Sequence, residues 1–175
     1  MLGANGTTYQ VDLVARIGKW FYVIEVKNYA GTIEGWADER FWTQHITRHK
    51  KHEFYNPLWQ NYGHVKALEE SLPGLRLQGL VLFTGSASFL VGFPSGVMNL
   101  RKFEQLVAKY AHIGRDDPML VAEWNRITAL GVDRQARRAH MRQAFRDGLQ
   151  RLVKLFARRE PVGAPSKSNS ESEES

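Results

Sequence analysis

Residues 9–27 read YQVDLVARIGKWFYVIEVK, and this stretch decides the fold. Apolar side chains alternate with others on both sides of Gly18-Lys19, a Gly-X pair that suits a two-residue type II′ turn. The pattern predicts two antiparallel strands, over residues 8–17 and 20–28. Because side chains alternate along a strand, each strand of this hairpin presents two different faces.

The position of the turn sets the register and brings four polar side chains together on one face. It places Asp12 opposite Glu25 and Gln10 opposite Lys27. The opposite face is predicted to be apolar core, in which Val11, Leu13, Ala15 and Ile17 face Trp20, Tyr22, Ile24 and Val26. The hairpin therefore has one core face and one face with polar groups at one end.

A helix and a third strand are predicted after the hairpin. Asn56 followed by Pro57 is a typical helix start, and the helix is expected to run for about 16 residues before Pro73-Gly74 ends it. The short apolar run Leu77–Phe83 predicts a buried strand, parallel to the second hairpin strand and reached by a right-handed crossover. This order of elements indicates an α/β fold with a mixed sheet.

Three further helices are predicted downstream, over Leu100–Tyr110, Pro118–Leu130 and Asp133–Ala157. The segment Glu39–Tyr55 is polar and rich in histidine, and we expect a short hairpin plus a loop there. Beyond Pro161 the composition turns to Ser, Glu, Pro and Gly, which predicts a disordered tail.

Charge is distributed unevenly along the 175 residues, whose formal net charge is +6. Residues 1–133 are nearly neutral, whereas residues 134–159 carry nine basic side chains against one acid. We therefore expect three parts: a core domain over residues 1–115, a basic helical extension over residues 116–160 and a disordered acidic tail over residues 161–175.

The composition excludes several kinds of site. The chain has no cysteine, which rules out disulfides, thiolate zinc sites, iron–sulfur clusters and a cysteine nucleophile. No apolar run approaches the roughly 18 residues of a membrane-spanning helix, and the start lacks the features of a signal peptide. We expect a cytoplasmic protein without a transmembrane segment, whose metal ligands, if any, are oxygen or imidazole groups.

The carboxylates of Asp12 and Glu25 suggest a metal site. Carboxylates directly opposite each other in a sheet have Cβ atoms about 4.5–5.5 Å apart and repel unless a cation compensates. Two such ligands, completed by a backbone carbonyl such as that of Val26, suit Mg²⁺ or Mn²⁺. Lys27, on the same face as Glu25, could orient the attacking water and stabilise charge on a phosphate. The same residues also fit a solvated Glu25–Lys27 ion pair that has no chemical role.

Four stretches of the chain follow the order and spacing of a known family. They are Thr7–Asp12, Phe21–Gly35, Asn56–Leu68 and Leu80–Gly85. Together they resemble the nuclease-related domain, NERD, of the restriction-endonuclease-like PD-(D/E)xK superfamily. The resemblance implies an αβββαβ core with a mixed sheet. We expect this chain to lack the first helix and first strand of that core, and an unpaired sheet edge of this kind favours a homodimer.

The resemblance also implies roles for individual residues. Asp12 corresponds to the metal-binding acid of the second family strand. Glu25 and Lys27 correspond to the acid and the lysine of the Glu-x-Lys motif on the third strand. Gln60 corresponds to the polar residue on the following helix, where its amide could reach a phosphate or the attacking water.

Basic residues outside this site are candidates for contacts with nucleic acid. Arg48, Lys50 and Lys51 lie near Trp42, Phe54 and Tyr55 in the sequence, a set that could track phosphates and stack bases, although the aromatic residues fit a core equally well. Further candidates are Gln10 and, in the basic helix, Arg134, Arg137, Arg138, Arg142 and Arg146. That helix could instead dock on this body, on a partner or on an anionic membrane surface.

The histidines favour less specific interpretations. His64 lies one helical turn after Gln60, and we expect a partly exposed side chain without a role. His45, His49 and His52 match no usual spacing of metal ligands, which favours a solvated loop.

The sequence therefore predicts a Mg²⁺- or Mn²⁺-dependent nuclease that hydrolyses phosphodiester bonds in DNA processing. One alternative is a noncatalytic module that binds nucleic acid through a degenerate nuclease fold. Another is a protein that binds a partner or a membrane surface through its basic amphipathic helix. The sequence leaves open whether DNA or RNA is bound.

Overall fold

Two four-stranded sheets and three helices make up residues 10–130, the part of the chain that this computed structural model describes. The strands are β1 (Leu13–Ile17), β2 (Trp20–Lys27), β3 (Gly31–Glu34), β4 (Phe41–Thr47), β5 (Lys50–Tyr55), β6 (Leu77–Phe83), β7 (Ala87–Phe89) and β8 (Val97–Asn99). The helices are α1 (Pro57–Ser71), α2 (Leu100–Tyr110) and α3 (Pro118–Leu130). The prediction of a mixed α/β fold is confirmed.

The first sheet has the order β1-β2-β6-β8 and contains the predicted hairpin. The register is confirmed, since Ile17 pairs with Trp20 and Leu13 pairs with Ile24. Gly18 supplies the positive φ, 64°, that the turn requires. β1 is shorter than predicted, because its ladder ends at Leu13 and residues 10–12 lie outside the strand. β2 pairs with β6 in parallel, as predicted.

Apolar clusters cover both faces of this first sheet. On one face, Val23 of β2 shares a cluster with Val65 of α1 and Ile127 of α3. On the other face, Ile24 packs in a cluster with Phe103 of α2. The two central strands, β2 and β6, are therefore enclosed by helices on both sides.

The prediction of a single apolar hairpin face is correct only in part. Residues that do lie in or against the α2 cluster are Leu13, Ala15, Ile17, Tyr22, Ile24 and Val26. Val11 packs instead against the α1 cluster, because the strand alternation stops at Leu13. Trp20, beside the turn, keeps 50% of its surface exposed.

Helix α1 begins where the sequence predicts, and a buried asparagine fixes its start. Asn56 Oδ1 accepts the backbone N–H of Leu58 at 2.9 Å, which is the bond of a helix N-cap. Asn56 Nδ2 donates to the carbonyls of Ala37 and Glu39 at 3.2 and 2.6 Å. The first turn of α1 is therefore held against the segment before β4.

The second sheet, in the order β5-β4-β3-β7, accounts for the segment Glu39–Tyr55. β4 and β5 form an antiparallel hairpin joined at residues 48–49, so the predicted hairpin is confirmed and the predicted loop is wrong. Trp42 is completely buried on the inner face of this sheet. Gly35 makes this possible, because any Cβ at that position would overlap the indole of Trp42.

The predicted helices α2 and α3 are confirmed, and α3 packs against the first sheet through Trp124, whose ring stacks on Phe21 at 6.3 Å between centroids. The predicted helix over Asp133–Ala157 and the predicted acidic tail over residues 161–175 lie outside the described residues. Within residues 10–130, no helix is both long and apolar enough to cross a bilayer.

Candidate active site

The polar end of β2 forms the centre of the candidate active site. Glu25 and Lys27 are two residues apart on one face of this strand, and Lys27 Nζ donates to Glu25 Oε1 at 2.7 Å. β2 pairs here with the buried strand β6, so the Glu25 side chain is only 3% exposed and that of Lys27 is 16% exposed. The predicted ion pair is formed, but it is buried rather than solvated.

Asp12 reaches this site by a route that the predicted register did not include. The expected pair of Asp12 with Glu25 is absent, because β1 begins at Leu13, the residue after Asp12. Asp12 instead turns its side chain onto β2, where Oδ2 accepts the backbone N–H of Val26 at 2.9 Å. The carboxylate thus takes the place of a main-chain partner at the end of the ladder.

Helix α1 contributes Gln60 to the same site, as predicted. Gln60 Oε1 accepts a hydrogen bond from Lys27 Nζ at 3.1 Å. Lys27 is therefore held between Glu25 on its own strand and Gln60 on the helix. An ammonium group has three N–H donors, and the third has no hydrogen-bond partner among residues 10–130.

Two α1 residues complete the buried side of the site, and neither was predicted correctly from the sequence. His64 was expected to be partly exposed, but it is buried, with Nδ1 3.6 Å from Glu25 Oε2. Asn61 was not predicted to take part; it is buried at 2% exposure, and Nδ2 donates to the carbonyls of Val23 and Leu80 at 2.9 and 3.1 Å. The signal for both was their helical spacing with buried Leu68, on the face that α1 turns to the sheet.

Burial sets the protonation of this cluster. Desolvation, followed by the nearby charge of Asp12, raises the pKa of Glu25, while the hydrogen bond from Lys27 acts in the opposite direction. Desolvation lowers the pKa of His64, so its ring is neutral at pH 7 and does not form an ion pair with Glu25. The site therefore holds two carboxylates against a single cation, Lys27.

The donor set of this cluster fits a divalent cation with oxygen ligands. Glu25 Oε2 is buried and accepts no hydrogen bond from any described residue. The repulsion between Glu25 and Asp12 would be relieved by a cation. In a strand, the N–H and C=O of one residue point to the same side, so the Val26 carbonyl lies on the side of Asp12. Within residues 10–130, no three His, Asp or Glu side chains form a ready-made metal cluster.

The predicted contacts with nucleic acid lie apart from this cluster. Arg48, Lys50 and Lys51 are exposed at the tip of the β4–β5 hairpin, whereas Trp42 and Phe54, which were grouped with them, belong to the core. Gln10 is exposed and lies outside β1, so its predicted pairing with Lys27 is not formed. Five basic-helix residues were also predicted to contact nucleic acid, and all five lie outside the described residues: Arg134, Arg137, Arg138, Arg142 and Arg146.

The histidines of the second sheet are also distributed differently from the prediction. His45 lies in β4 and His52 in β5, so neither belongs to a loop. His45 Nε2 is 2.8 Å from Glu34 Oε2 on the neighbouring strand β3. His49 lies in the turn between the two strands.

This fold, with its acidic pair and lysine at the end of a central strand, is that of a restriction-endonuclease-like domain. Residues 2–84 match the family model of the nuclease-related domain, NERD. An uncharacterized protein of Bacillus anthracis is 45% identical over 64 residues, which are 37% of this chain and 30% of that protein. The chain thus matches less than a third of the length of this relative. No solved structure matches the chain.

Proposed function

We propose that this protein is a nuclease that hydrolyses phosphodiester bonds in DNA with the help of Mg²⁺ or Mn²⁺. The observation that carries the proposal is the position of Lys27 Nζ, which is fixed between Glu25 and Gln60 beside a second carboxylate, Asp12. A lysine with a remaining donor next to two carboxylates is suited to a reaction in which negative charge grows on a phosphate. The match of residues 2–84 to the model of the nuclease-related family supports this assignment.

In the proposed mechanism, Glu25, Asp12 and the Val26 carbonyl would hold a divalent cation. When bound there, such a cation would supply Lewis-acid stabilisation of the phosphate under attack. Glu25 provides Oε2, the buried oxygen that accepts no hydrogen bond from the described residues. Asp12 provides the carboxylate oxygen that is not bonded to Val26 N–H.

Lys27 is proposed to bind the reacting phosphate through its third N–H and to orient the attacking water. Its two existing hydrogen bonds limit the motion of a long side chain, so little entropy is lost when the phosphate binds. Gln60 then acts as a positioning residue for Lys27. Its NH₂ group remains available to donate to the substrate.

The test is cleavage of labelled single- and double-stranded DNA by the complete chain in Mg²⁺, Mn²⁺ or a chelator. Lys27→Met and Glu25→Gln are compared with Lys19→Met, which removes an exposed lysine at the β1–β2 turn. We expect metal-dependent cleavage by the unchanged chain and by Lys19→Met, and a loss of about 100-fold or more in the two site variants. Circular dichroism and thermal unfolding confirm that each variant is folded.

A different result would favour the noncatalytic alternative. If the unchanged chain binds DNA without cleaving it in any metal, and Lys27→Met binds equally well, the protein is a binding module with a nuclease fold. Cleavage that survives Lys27→Met at full rate would show that the reaction takes place elsewhere or that a contaminant causes it.

A further inference from the structure

A row of exposed aromatic side chains leads from the open end of the β4–β5 hairpin onto α1. Phe41 and Tyr55 are directly opposite each other in the antiparallel pair β4–β5, and their rings meet edge to face at 5.9 Å. Tyr55 meets Trp59 in the first turn of α1 at 6.3 Å. Tyr62 lies one helical turn beyond Trp59, on the same side of α1. We call these four residues the aromatic track.

The aromatic track is unusually exposed for residues of this size. Phe41, Tyr55 and Trp59 keep 45%, 42% and 41% of their surface exposed, and Tyr62 keeps 64%. Large aromatic residues usually bury most of their surface, and each removes about 150–250 Å² from water when it does so. Four of them in one row leave a surface that favours a ligand with flat, partly apolar groups.

A cation stands over the aromatic ring at each end of the track. The guanidinium carbon of Arg40 lies 5.4 Å from the centroid of Phe41, and Lys66 Nζ lies 5.5 Å from the centroid of Tyr62. Lys66 Nζ also donates to Glu69 Oε2 at 3.0 Å, and an exposed pair of this kind is weak enough for a phosphate to replace. An apolar partner would have to bury both charges. A ligand that combines flat bases with phosphates can occupy the rings and pair with the cations.

The aromatic track and the candidate active site both use residues of helix α1, on different faces of it. Trp59 belongs to the track, and the next residue, Gln60, bonds to Lys27. Trp59 Nε1 donates to the carbonyl of Ala37 at 2.9 Å, which fixes the indole relative to the chain before β4.

We infer that the aromatic track binds single-stranded nucleic acid by stacking its bases, with Arg40 and Lys66 contacting phosphates. A duplex hides the faces of its bases, so the ligand that fits exposed rings is an unpaired segment. The inference deepens the proposed function, on which its link to cleavage rests. Base stacking itself can be measured without any cleavage.

The experiment measures binding by fluorescence anisotropy, with the complete chain and a chelator present. Two probes are used: a labelled oligothymidylate of about 12 nucleotides and an oligonucleotide of the same length that lacks bases. The two probes carry equal numbers of phosphates, so basic residues elsewhere in the chain bind both equally. We expect the unchanged chain to bind the probe with bases at least about tenfold more tightly.

The triple variant Phe41→Ala, Tyr55→Ala and Tyr62→Ala is expected to bind both probes equally. Trp59 is left in place, because its hydrogen bond to Ala37 holds the chain. Trp20→Ala is the matched control, since Trp20 is a half-exposed aromatic residue beside the β1–β2 turn. It should keep the full preference for bases.

Three outcomes would overturn the inference. The unchanged chain could bind both probes equally, or the triple variant could keep the preference. The unchanged chain could also bind neither probe but form a dimer in sedimentation that the triple variant does not form, which would make the track a self-association surface. A preference for bases that the triple variant loses supports the inference even if no DNA is cleaved. An absence of cleavage would then remove only the proposed nuclease activity.

Discussion

Asp12 Oδ2 accepts the backbone N–H of Val26 at 2.9 Å, and this single bond brings the second carboxylate into the site. β1 begins only at Leu13, so the strand offers no main-chain carbonyl to pair with Val26. The carboxylate of Asp12 satisfies the end of the ladder and at the same time raises the pKa of Glu25 through its charge. The end of one strand thus creates the electrostatic feature of the site.

The first prediction separates these two roles of Asp12. In Asp12→Asn, the amide oxygen can still accept the Val26 N–H, but the charge is gone. We expect cleavage to fall by about 100-fold or more, because even indirect partners of a bound metal contribute roughly 10- to 100-fold. Thermal stability should be equal or slightly higher, since the repulsion with Glu25 is removed.

The matched variant is Asp12→Ala, which removes both the charge and the acceptor. It should lose cleavage to the same extent and should also be less stable, by about 1 kcal/mol, because the Val26 N–H loses its partner. Cleavage rates and thermal unfolding of the two variants provide the comparison. Full activity in Asp12→Asn would exclude a role for this carboxylate in holding a cation.

The second prediction concerns how Lys27 stabilises the buried carboxylate of Glu25. Lys27→Met removes the cation that opposes the rise in the pKa of Glu25. We expect the free energy of unfolding at pH 8 to fall by about 1–3 kcal/mol, because a buried carboxylate loses its charged partner. The loss should be smaller at pH 5, where more of Glu25 is protonated in this variant and no charge has to be buried.

Denaturation by urea at the two pH values measures this difference. The double variant Lys27→Met and Glu25→Gln is the control, because it removes both charges together. It should recover most of the lost stability at pH 8. A loss in Lys27→Met that is independent of pH would mean that packing of the lysine stem, rather than the charge of Glu25, is responsible.

The hairpin and the helix α1 could be predicted from the sequence because local signals determine them. The alternation of residues 9–27 and the glycine at Gly18 set the register, and Asn56 with Pro57 sets the helix start. Glu25 and Lys27 followed from the same alternation. These features depend on neighbours in the chain, which a sequence displays directly.

Contacts between distant segments could not be read in this way. β7 and β8 have only three residues each, too few to show a period, and β7 pairs with β3 across more than 50 residues of chain. Asp12 was misplaced because the predicted hairpin ladder was extended beyond Leu13–Ile24, the last pair that forms. The position of His64 beside Glu25 depends on how α1 crosses the sheet, which no local pattern contains.

The third prediction is that burial of His64 makes stability depend on pH. Desolvation lowers its pKa from 6.5, so the folded ring stays neutral at a pH where the unfolded ring already binds a proton. The free energy of unfolding should therefore decrease as the pH falls through about 6.5, until the pH reaches the pKa of the folded state. His64→Gln should lack this decrease, as measured by urea denaturation between about pH 7 and pH 5.

Glu25 provides an internal control with the opposite sign. Its pKa is raised from 4.5, so the folded state binds the proton more tightly, and stability decreases as the pH rises from 4.5 to the folded pKa. Glu25→Gln should remove that decrease. If His64→Gln showed the same pH profile as the unchanged chain, the ring would be solvated rather than buried.

The fourth prediction tests the asparagine that fixes the start of α1. Asn56→Ala removes a helix cap and, in addition, the donor to the carbonyls of Ala37 and Glu39. We expect a loss of about 2–4 kcal/mol, from a cap of about 0.5–2 kcal/mol and two further hydrogen bonds of about 0.5–1.5 kcal/mol each.

Asn99→Ala is the matched control, because Asn99 caps α2 by accepting the N–H of Lys102 at 2.9 Å and lies less deeply buried. It should cost only the cap, about 0.5–2 kcal/mol. Chemical denaturation measures both losses. Because Asn56 also positions the first turn of α1, Asn56→Ala should weaken cleavage through Gln60 and Lys27, whereas Asn99→Ala should leave cleavage unchanged. Equal losses of stability in the two variants would show that the bonds to the segment before β4 contribute nothing.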